Sequence, residues 1–332
     1  MIKQLSRFIV LLLLIPSTVF AKNDIPQDSP QKAVAKKPAT KDITVMLDWF
    51  INPNHGPIII AQEKGFFEQS GVNVTVQEPA DPSLPPKLVA AGELDLGVYY
   101  GPSLMEGASN GLPIAWVGTL IASGLDGIIV LDKSNITSVA DLKGKTIGMS
   151  SAGNQFPKLD RSFAPYGFSA KDVKLVNVGW NLSSSLMTGR VDAITGAYRN
   201  FELNEIALHN AKGRMFYFEE LGVPPYDELI FIANTDPKKR DDEAIRRFLN
   251  GIELGTQFIT NHPEEAWEIF KNSNKKQLDN SLNKHAWLDT VAYLAKRPAA
   301  MDVGRYQKYA DFLLANRMIE KPLDVRELML QL

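Results

Sequence analysis

The feature that most constrains this fold is an alternation of short apolar runs with helical patterns between residues 43 and 234. Apolar runs such as those over residues 43–47, 114–121 and 229–233 have the length of strands, and the segments between them carry helical spacing. Strands that alternate with helices in this way predict βαβ units and largely parallel sheets. After Asn234 the pattern is helical to the end of the chain.

The order of these elements also predicts how the chain is divided. Two successive α/β units are followed by a helical tail, and 332 residues are enough for two domains of roughly 150 residues each. We therefore expect an α/β fold with two lobes, a central cleft and a helical C-terminal region. In open α/β sheets ligands bind outside the carboxyl ends of the strands. The residues that directly follow strands are therefore the candidates for a binding site.

The beginning of the chain does not share the alternation. Two basic residues precede an apolar run over residues 8–16, and small or tolerated residues precede a cleavage point after Ala21. This pattern predicts a secretory signal peptide over residues 1–21, because the run is too short for a membrane span. Residues 22–41, rich in Lys, Pro, Ala and Gln, predict a flexible linker. We expect an exported, periplasmic protein; an uncleaved inner-membrane anchor is the alternative.

Composition excludes several classes of function. The formal net charge is −2, whereas a nucleic-acid binder usually shows a basic face. The chain has no cysteine, which excludes thiolate metal sites, iron–sulfur clusters and a cysteine nucleophile. Its four histidines lie far apart in sequence, without the spacing of a zinc enzyme. We expect no metal, no cofactor and no nucleic-acid partner.

The densest candidate site lies in residues 47–57, between the first predicted strand and the helix that follows it. Trp49, Asn52 and His55 stand there within seven residues. The face of an aromatic side chain can stack on a small heteroaromatic ring, while amide and imidazole groups orient that ring by hydrogen bonds. We therefore take these three residues as ligand-binding candidates. For Trp49, a place in the hydrophobic core is the alternative.

A second cluster follows the strand predicted over residues 193–196. Tyr198, Asn200 and Glu202 stand at the junction of this strand with the next helix. A carboxylate at Glu202 can accept a charge-assisted hydrogen bond from an amino group on an electron-poor ring. The alternative is structural, since Asn200 can cap the helix and Glu202 can complement its dipole in the first turn.

Three other loops supply further candidates. Tyr99 and Tyr100 follow a strand, so we expect one to line the cleft and the other to face the core. Either Asp227 or Glu228 can reach the cleft from the loop before the last strand, and we take Asp227 as the candidate; a surface position is the alternative. The small residues over 148–154 can present backbone N–H groups to polar ligand atoms.

Several of these stretches together match a known pattern. On the basis of these stretches, residues 43–234 resemble the type II periplasmic solute-binding proteins of ABC importers. More narrowly, they resemble the ThiY-like branch, which binds pyrimidine precursors of thiamine. The motifs are L-D-W-F-x-N-P-N-H (47–55), A-x-E-K-G-F-F (61–67), E-P-A-D-P-S-x-P-P-K-L-V-A-A-G (78–92), D-L-K-G-K-x-I-G (141–148), G-A-Y-R-N-F-E-L-N (196–204) and Y-D-E-L-I-F-I-A-N (226–234).

The resemblance implies two α/β lobes joined by two crossovers. Residues 42–125 and 227–332 would form the first lobe and residues 126–226 the second. It also implies an aromatic side chain that stacks on the pyrimidine and an acidic side chain that binds the exocyclic amine. These two roles fall on Trp49 and Glu202. The neighbours that the same comparison implies are Asn52, His55, Tyr100 and Tyr198.

The function implied is that of a monomeric periplasmic protein that catalyses no reaction. It would bind an aminopyrimidine and deliver it to the permease and ATPase subunits of an ABC importer at the inner membrane. Another solute, such as an alkylsulfonate or a riboflavin-like precursor, is one alternative, because the loop Ser150 to Lys158 is more polar than that branch suggests. An enzyme similar to hydroxymethylpyrimidine-phosphate synthases is another. His55 matches the histidine that those enzymes consume, but their cysteine-rich iron motif is missing from this chain.

Overall fold

The computed structural model of the chain describes residues 39–150 and 155–332. The predicted signal peptide (1–21), most of the predicted linker (22–41) and positions 151–154 lie outside the described residues. Residues 39–332 belong to one compact unit. Within the described ranges, none of the helices combines the length and the apolar character needed to cross a membrane.

The strands form two five-stranded sheets. The first sheet has the order β2-β1-β3-β10-β4 and the second has the order β7-β6-β8-β5-β9. The bounds of the strands are β1 Lys41–Met46, β2 Val72–Gln77, β3 Leu96–Tyr100, β4 Ile114–Ile121, β5 Asp126–Leu131, β6 Thr146–Met149, β7 Lys174–Asn177, β8 Ala193–Tyr198, β9 Gly213–Tyr217 and β10 Leu229–Asn234.

Both sheets are mixed, but four of the five strands in each run in the same direction, in agreement with the expectation of largely parallel sheets. Strands β1, β2 and β3 are parallel, as are β6, β7 and β8. In contrast, β10 runs antiparallel to β3 and β4, and β5 runs antiparallel to β8 and β9. The apolar pattern identifies a buried strand but does not encode its direction, which depends on the path of the chain between the lobes.

Helices cover the faces of the sheets. The apolar pattern after the first strand predicts one helix over residues 57–70, but it is broken at Gly65, whose left-handed backbone (φ +70°) no α-helix can include. Helix α11 lies in the region predicted to be helical, although its sequence SLNKHAWLDT shows no regular apolar stripe. The bounds are α1 Gly56–Glu63, α2 Phe66–Gln69, α3 Leu84–Ala91, α4 Gly101–Ser109, α5 Phe156–Phe163, α6 Leu182–Met187, α7 Glu202–Leu208, α8 Asp242–Asn261, α9 Pro263–Ser273, α10 Lys275–Leu278, α11 Ser281–Thr290 and α12 Val303–Ala315.

Short 3-10 helices complete the secondary structure of the described residues. The first of them matters most for the site, because it directly follows the loop after β1. Their bounds are Pro53–His55, Val139–Leu142, Ala164–Tyr166, Ala170–Asp172, Pro237–Lys239, Val291–Tyr293 and Val325–Leu328.

The hydrophobic core lies on both faces of the sheets. Phe231 of β10 belongs to a cluster with α1 and α8, whereas its neighbours Ile230 and Ile232 belong to a second cluster on the opposite face. This alternation follows from the two-residue period of a strand. The second cluster also contains Ile128 and Ile147 of the other sheet, so apolar packing continues from one sheet to the other.

The two sheets are the centres of two lobes, and the chain passes twice between them. Residues 122–125 connect β4 to β5, and residues 218–228 connect β9 to β10. The predicted architecture of two α/β lobes with a helical C-terminal region is thereby confirmed. The boundaries that we predict after residues 125 and 226 lie at the end of the first connection and inside the second, and they stay a prediction.

Candidate functional site

A cavity lies between the two sheets. It encloses about 670 Å³ of empty space, counting the part that is open to solvent. Asp48, Tyr100, Ser150 and Tyr198, which stand at or just beyond the carboxyl ends of β1, β3, β6 and β8, line it. These strands are the parallel ones, so the cavity has the position expected for a ligand site in α/β sheets.

The loop after β1 is held by a chain of buried hydrogen bonds. His55 Nε2 lies 2.9 Å from Asp48 Oδ1, and the Tyr100 hydroxyl donates to Asp48 Oδ2 at 3.1 Å. The other ring nitrogen of His55 accepts from the backbone N–H of Asn52 at 3.2 Å. His55 is fully buried and does not line the cavity, whereas Asp48 and Asn52 do. The structure therefore places His55 behind the cavity wall, where it orients Asp48.

Asn52 also shapes the loop. Its side-chain oxygen accepts from the backbone N–H of Asn54 at 3.0 Å, and its amide donates to the carbonyl of Phe50 at 3.0 Å. These bonds cap the 3-10 helix Pro53–His55, and the proline at its first position suits such a start. Because both polar atoms of its side chain form hydrogen bonds within the loop, Asn52 is a rigid part of the cavity wall.

An aromatic cluster joins the two lobes beside the cavity. The ring centroids of Trp49 and Trp180 are 4.1 Å apart with an interplanar angle of 62°, and those of Phe50 and Phe201 are 5.9 Å apart. Trp49 and Phe50 follow β1, while Trp180 and Phe201 belong to the lobe of the second sheet. Trp49 and Phe201 line the cavity. Aromatic pairs of this kind favour the approach of the two lobes.

Glu202 begins α7 and lines the cavity from the second lobe. Its Oε2 accepts from the backbone N–H of Tyr198 at 2.6 Å. Burial raises the pKa of this carboxyl to about 8, although hydrogen bonds from the backbone of Tyr198 and of Glu202 itself oppose the shift. A carboxyl that is held in this way and lines the cavity can accept a hydrogen bond from a ligand amine.

Two neutral phenols accompany these carboxyls. Burial, with the negative charges of nearby carboxylates, raises the pKa values of Tyr100 and Tyr198 well above the usual range for tyrosine. Both side chains therefore keep their hydroxyl protons at neutral pH. Tyr99 packs instead against the second core cluster, whereas Tyr100 lines the cavity, as the alternation along a strand requires.

The floor of the cavity holds a buried ionic cluster. The Lys158 ammonium pairs with the Asp126 carboxylate, which also accepts from the Tyr226 hydroxyl. Glu228 Oε2 accepts from the backbone N–H groups of Leu125 and Asp126, at 2.6 and 3.1 Å. Asp126, Lys158 and Glu228 all line the cavity.

The lining of the cavity is rich in carboxyl groups and poor in cations. Four carboxyl groups line it, and Lys158, paired with Asp126, is the one lysine or arginine among the described lining residues. Such an excess of carboxyls favours ligands that are cationic or rich in hydrogen-bond donors. It disfavours anions, because a buried anion needs a partner of opposite charge. The four carboxyls belong to Asp48, Asp126, Glu202 and Glu228.

Asn200 lies at the meeting point of the lobes, outside the cavity lining. Its side-chain amide donates to Asn54 Oδ1 and to Thr290 Oγ1, at 2.7 Å each. All three side chains are buried. The structure therefore places Asn200 between the lobes, in contact with the loop after β1 and with α11.

Asp227 points away from this cavity. Its carboxylate accepts from Arg305 at 2.5 Å and from the Thr119 hydroxyl at 3.1 Å, and it lines a second, more open cavity. Its neighbour Glu228 takes the position in the candidate site that we expected of Asp227. Consecutive side chains of an extended segment point to opposite sides, so only one of the two acids can reach the site.

Five of the eight predicted residues are brought together in the cavity, and three are not. The sequence reasoning did not select Asp48, Asp126, Lys158 or Glu228. Asp48 lies inside the candidate loop over residues 47–57, and Glu228 is the alternative to Asp227 in the prediction. The sequence therefore points to the region of both. Lys158 and Asp126 are distant in sequence and pair only when the chain folds, so no local sequence pattern predicts their contact. The residues that line the cavity as predicted are Trp49, Asn52, Tyr100, Tyr198 and Glu202.

Within residues 39–150 and 155–332, no group of three or more His, Asp or Glu side chains could hold a metal ion. Each of the four carboxyls of the cavity accepts at least one hydrogen bond. The described residues therefore form no candidate metal centre.

The sequence matches one family model and several named proteins. The model of the family described as NMT1/THI5 like matches residues 52–266. A Haemophilus influenzae protein named as a thiamine biosynthesis protein is 47% identical over 289 residues, which cover 87% of this chain and 91% of that protein. A formylaminopyrimidine-binding protein of Halalkalibacterium halodurans is 27% identical over 292 residues, covering 86% of this chain and 88% of that one.

A relative with an enzyme's name and a solved structure complete the comparison. The 4-amino-5-hydroxymethyl-2-methylpyrimidine phosphate synthase of Uromyces fabae is 32% identical over 239 residues, covering 69% of this chain and 70% of that protein. The alkanesulfonate-binding protein SsuA of Xanthomonas axonopodis pv. citri superimposes with a TM-score of 0.70 at 18% identity, covering 89% of this chain and 99% of that one. This last likeness shows the fold of a periplasmic binding protein.

Proposed function

The chain belongs to the NMT1/THI5-like family, and from this we propose that it is the solute-binding component of an ABC importer for a thiamine-related aminopyrimidine. The observation that carries the proposal is the cavity between the lobes, which combines aromatic faces with an excess of carboxyls. A binding protein of this kind holds its solute between two lobes that close on it.

The chemistry of an aminopyrimidine fits this lining. Its flat ring can stack on Trp49. Its exocyclic amine donates a hydrogen bond and the adjacent ring nitrogen accepts one, so this edge pairs well with a protonated carboxyl. Glu202, whose pKa is raised to about 8 by burial, supplies that carboxyl in the cavity. The phenol of Tyr198 keeps its proton and can donate to a ring nitrogen, whereas the Tyr100 hydroxyl already donates to Asp48. The relative named as a formylaminopyrimidine-binding protein supports the same class of solute.

The acidic lining also separates this proposal from other solutes. The fold is shared with alkanesulfonate-binding proteins, but a sulfonate would face four carboxyls here and only one lysine, which is already paired. An anionic solute would therefore lose its hydration without gaining a free cation. We propose a neutral or cationic solute for this reason.

Binding without turnover is the second part of the proposal, although some relatives are named as synthases. His55 matches in sequence the histidine that such enzymes consume, but both of its ring nitrogens are engaged and it is fully buried behind Asp48. The sequence also has no cysteine with which to form the iron motif of those enzymes. These features support a binding protein.

Location and partners follow from the proposed role. We propose that the protein is exported to the periplasm by residues 1–21 and delivers its solute, as a monomer, to a permease with an ATPase subunit at the inner membrane. Mass spectrometry of the protein from a periplasmic extract should show a mature chain that begins at Lys22. An intact first residue, or a cytoplasmic location, would contradict this part of the proposal.

The proposed function is tested by direct binding. Native mass spectrometry of protein purified from cells should reveal a bound aminopyrimidine. Isothermal titration calorimetry with 4-amino-5-hydroxymethyl-2-methylpyrimidine and its formylamino analogue should give binding at micromolar concentration or below, with quenching of tryptophan emission. After incubation the solute should be recovered unchanged. If neither pyrimidine binds or shifts the melting temperature, the proposed solute is wrong.

A further inference from the structure

Glu228 has an arrangement of bonds that a purely structural carboxyl does not need. It is buried, lines the cavity, and stands directly before β10 in the second connection between the lobes. Both hydrogen bonds to the first connection, from the N–H groups of Leu125 and Asp126, go to the same oxygen, Oε2. Among the described residues, no donor reaches Oε1. The anchored oxygen holds the carboxyl in place, and the second oxygen is left for another partner.

The neighbouring Lys158 ammonium does not pair with this second oxygen, Oε1 of Glu228. Lys158, the one lysine of the lining, is paired with Asp126, whose other oxygen accepts from Tyr226. Burial and the neighbouring Asp126 carboxylate raise the pKa of Glu228, while Lys158 opposes them. An ionised Glu228 is therefore destabilised in the empty cavity, and a donor on the solute would relieve this.

Glu228 and Glu202 approach the cavity from different lobes. Glu202 begins α7 of the second lobe, whereas Glu228 directly precedes the β10 strand of the first sheet. Each anchors one oxygen on backbone N–H. A single amine on the solute can satisfy one of these carboxyls. The other can accept from a second donor on the solute, because a buried acceptor without a partner is costly.

We infer that Glu228 is a second solute-binding carboxyl, which selects an aminopyrimidine carrying an additional N–H or O–H donor on a ring substituent. The inference rests on the proposed function, in which Glu202 binds the ring amine. It adds a specificity-determining residue and narrows the solute to rings with two separate donor groups. Because Glu228 also holds the first connection between the lobes, a solute bound there contacts both lobes at the point where they join.

The test uses two ligands that differ in one neutral donor. One is 4-amino-5-hydroxymethyl-2-methylpyrimidine and the other is 4-amino-2,5-dimethylpyrimidine, in which the hydroxyl is replaced by hydrogen. Glu228→Gln keeps a carbonyl oxygen for the Leu125 and Asp126 N–H groups but presents NH2 where the free acceptor was. Glu202→Gln is the matched control, since it makes the same exchange at the carboxyl proposed for the ring amine.

The expected pattern is a loss that depends on the ligand. The wild-type protein should bind the hydroxymethyl compound at least tenfold more tightly than the dimethyl compound, in calorimetric titrations. Glu228→Gln should lose that preference and bind the dimethyl compound within about twofold of wild type. Glu202→Gln should weaken both ligands by similar factors. Thermal melts establish that each variant is folded.

Four outcomes would overturn the inference. If Glu228→Gln retains the tenfold preference, the carboxyl does not bind the substituent. If it weakens both ligands equally, Glu228 acts only through the connection between the lobes. If the wild-type protein binds both compounds equally well, the proposed function stands but the second donor is not selected. Absence of binding of either compound to wild type would remove the proposed function and this inference together.

Discussion

The side-chain amide of Asn200 donates a hydrogen bond to the side-chain oxygen of Asn54, 2.7 Å away, and these two residues belong to different lobes. The same amide donates to Thr290 of α11 at 2.7 Å. All three groups are buried, so water competes little for these bonds. The contact exists only when the lobes are close together, and it therefore stabilises the closed arrangement around the cavity.

Replacing Asn200 with alanine should weaken solute binding without removing any cavity-lining group. The loss of its hydrogen bonds should cost the closed state about 1 to 2 kcal/mol, which corresponds to about a fivefold to thirtyfold lower affinity. Calorimetry gives the affinity, and small-angle X-ray scattering with and without solute gives the degree of closure. Both should change in the same direction.

Asn204→Ala provides the matched control for this contact. Asn204 also reaches α11 from α7, by a hydrogen bond of 2.7 Å to Asp289, but this pair is exposed. Exposed polar contacts contribute little, so we expect an affinity within about twofold of wild type. Equal losses in the two variants would show that burial of the Asn200 contact does not matter.

Trp49→Ala and Asp227→Ala should separate binding from stability. Trp49 lines the cavity, and aromatic stacking contributes about 0.5–1.5 kcal/mol beyond buried area, so its loss should lower affinity at least about tenfold. Asp227 faces Arg305 in the other cavity. Its loss should leave affinity within about threefold of wild type, while the free energy of unfolding falls by about 1–3 kcal/mol. The reverse pattern, in titrations and denaturant melts, would disprove this assignment.

The pKa of Glu202 predicts how the stability of the empty protein depends on pH. Because burial raises this pKa from 4.5 to about 8, the folded state holds a proton that the unfolded state has lost between these values. The free energy of unfolding should therefore fall as the pH rises from about 4.5 to about 8. Glu202→Gln removes this titration, so its melting temperature should fall less over the same range.

A surface glutamate provides the control for the pH measurement. Glu264 is exposed at the start of α9, and Glu264→Gln should reproduce the wild-type pH profile in melts across the range. If Glu202→Gln also follows the wild-type profile, its carboxyl does not titrate in this range.

The acidic lining predicts discrimination against anions. The phosphate ester of 4-amino-5-hydroxymethyl-2-methylpyrimidine should bind about 100-fold more weakly than the free alcohol, because its buried charge would find no unpaired lysine or arginine among the described lining residues. An alkylsulfonate should give no measurable heat at millimolar concentration. Competition titrations against the alcohol check both compounds, and equal affinity for alcohol and phosphate would contradict the charge argument.

Much of the secondary structure could be predicted from local sequence. The strands Ile114–Ile121 and Thr146–Met149 lie where the apolar runs place them, since a buried strand needs a short run of apolar side chains. The antiparallel directions of β5 and β10 could not be predicted, because direction depends on which lobe the chain enters next. The bounds of α11 could not be predicted within the helical C-terminal region, because its buried face is partly polar.

For the site, the position of residues after strands was the useful signal. This signal predicts four residues that the structure brings together in one cavity, namely Trp49, Tyr100, Tyr198 and Glu202. Their roles in binding stay predictions. His55 satisfied the same rule yet lies behind the wall, because its ring is taken up by Asp48 and the Asn52 backbone.

The sequence by itself determined the α/β architecture, the position of the site at strand ends and its aromatic character, because each depends on patterns within a few neighbouring residues. Only the tertiary structure decided which of Asp227 and Glu228 faces the cavity and that Lys158 is neutralised by Asp126. Adjacent side chains of an extended segment point to opposite sides, and local sequence does not say which side is the cavity. The charge of a site is likewise set by partners that are distant in sequence and meet only when the chain folds.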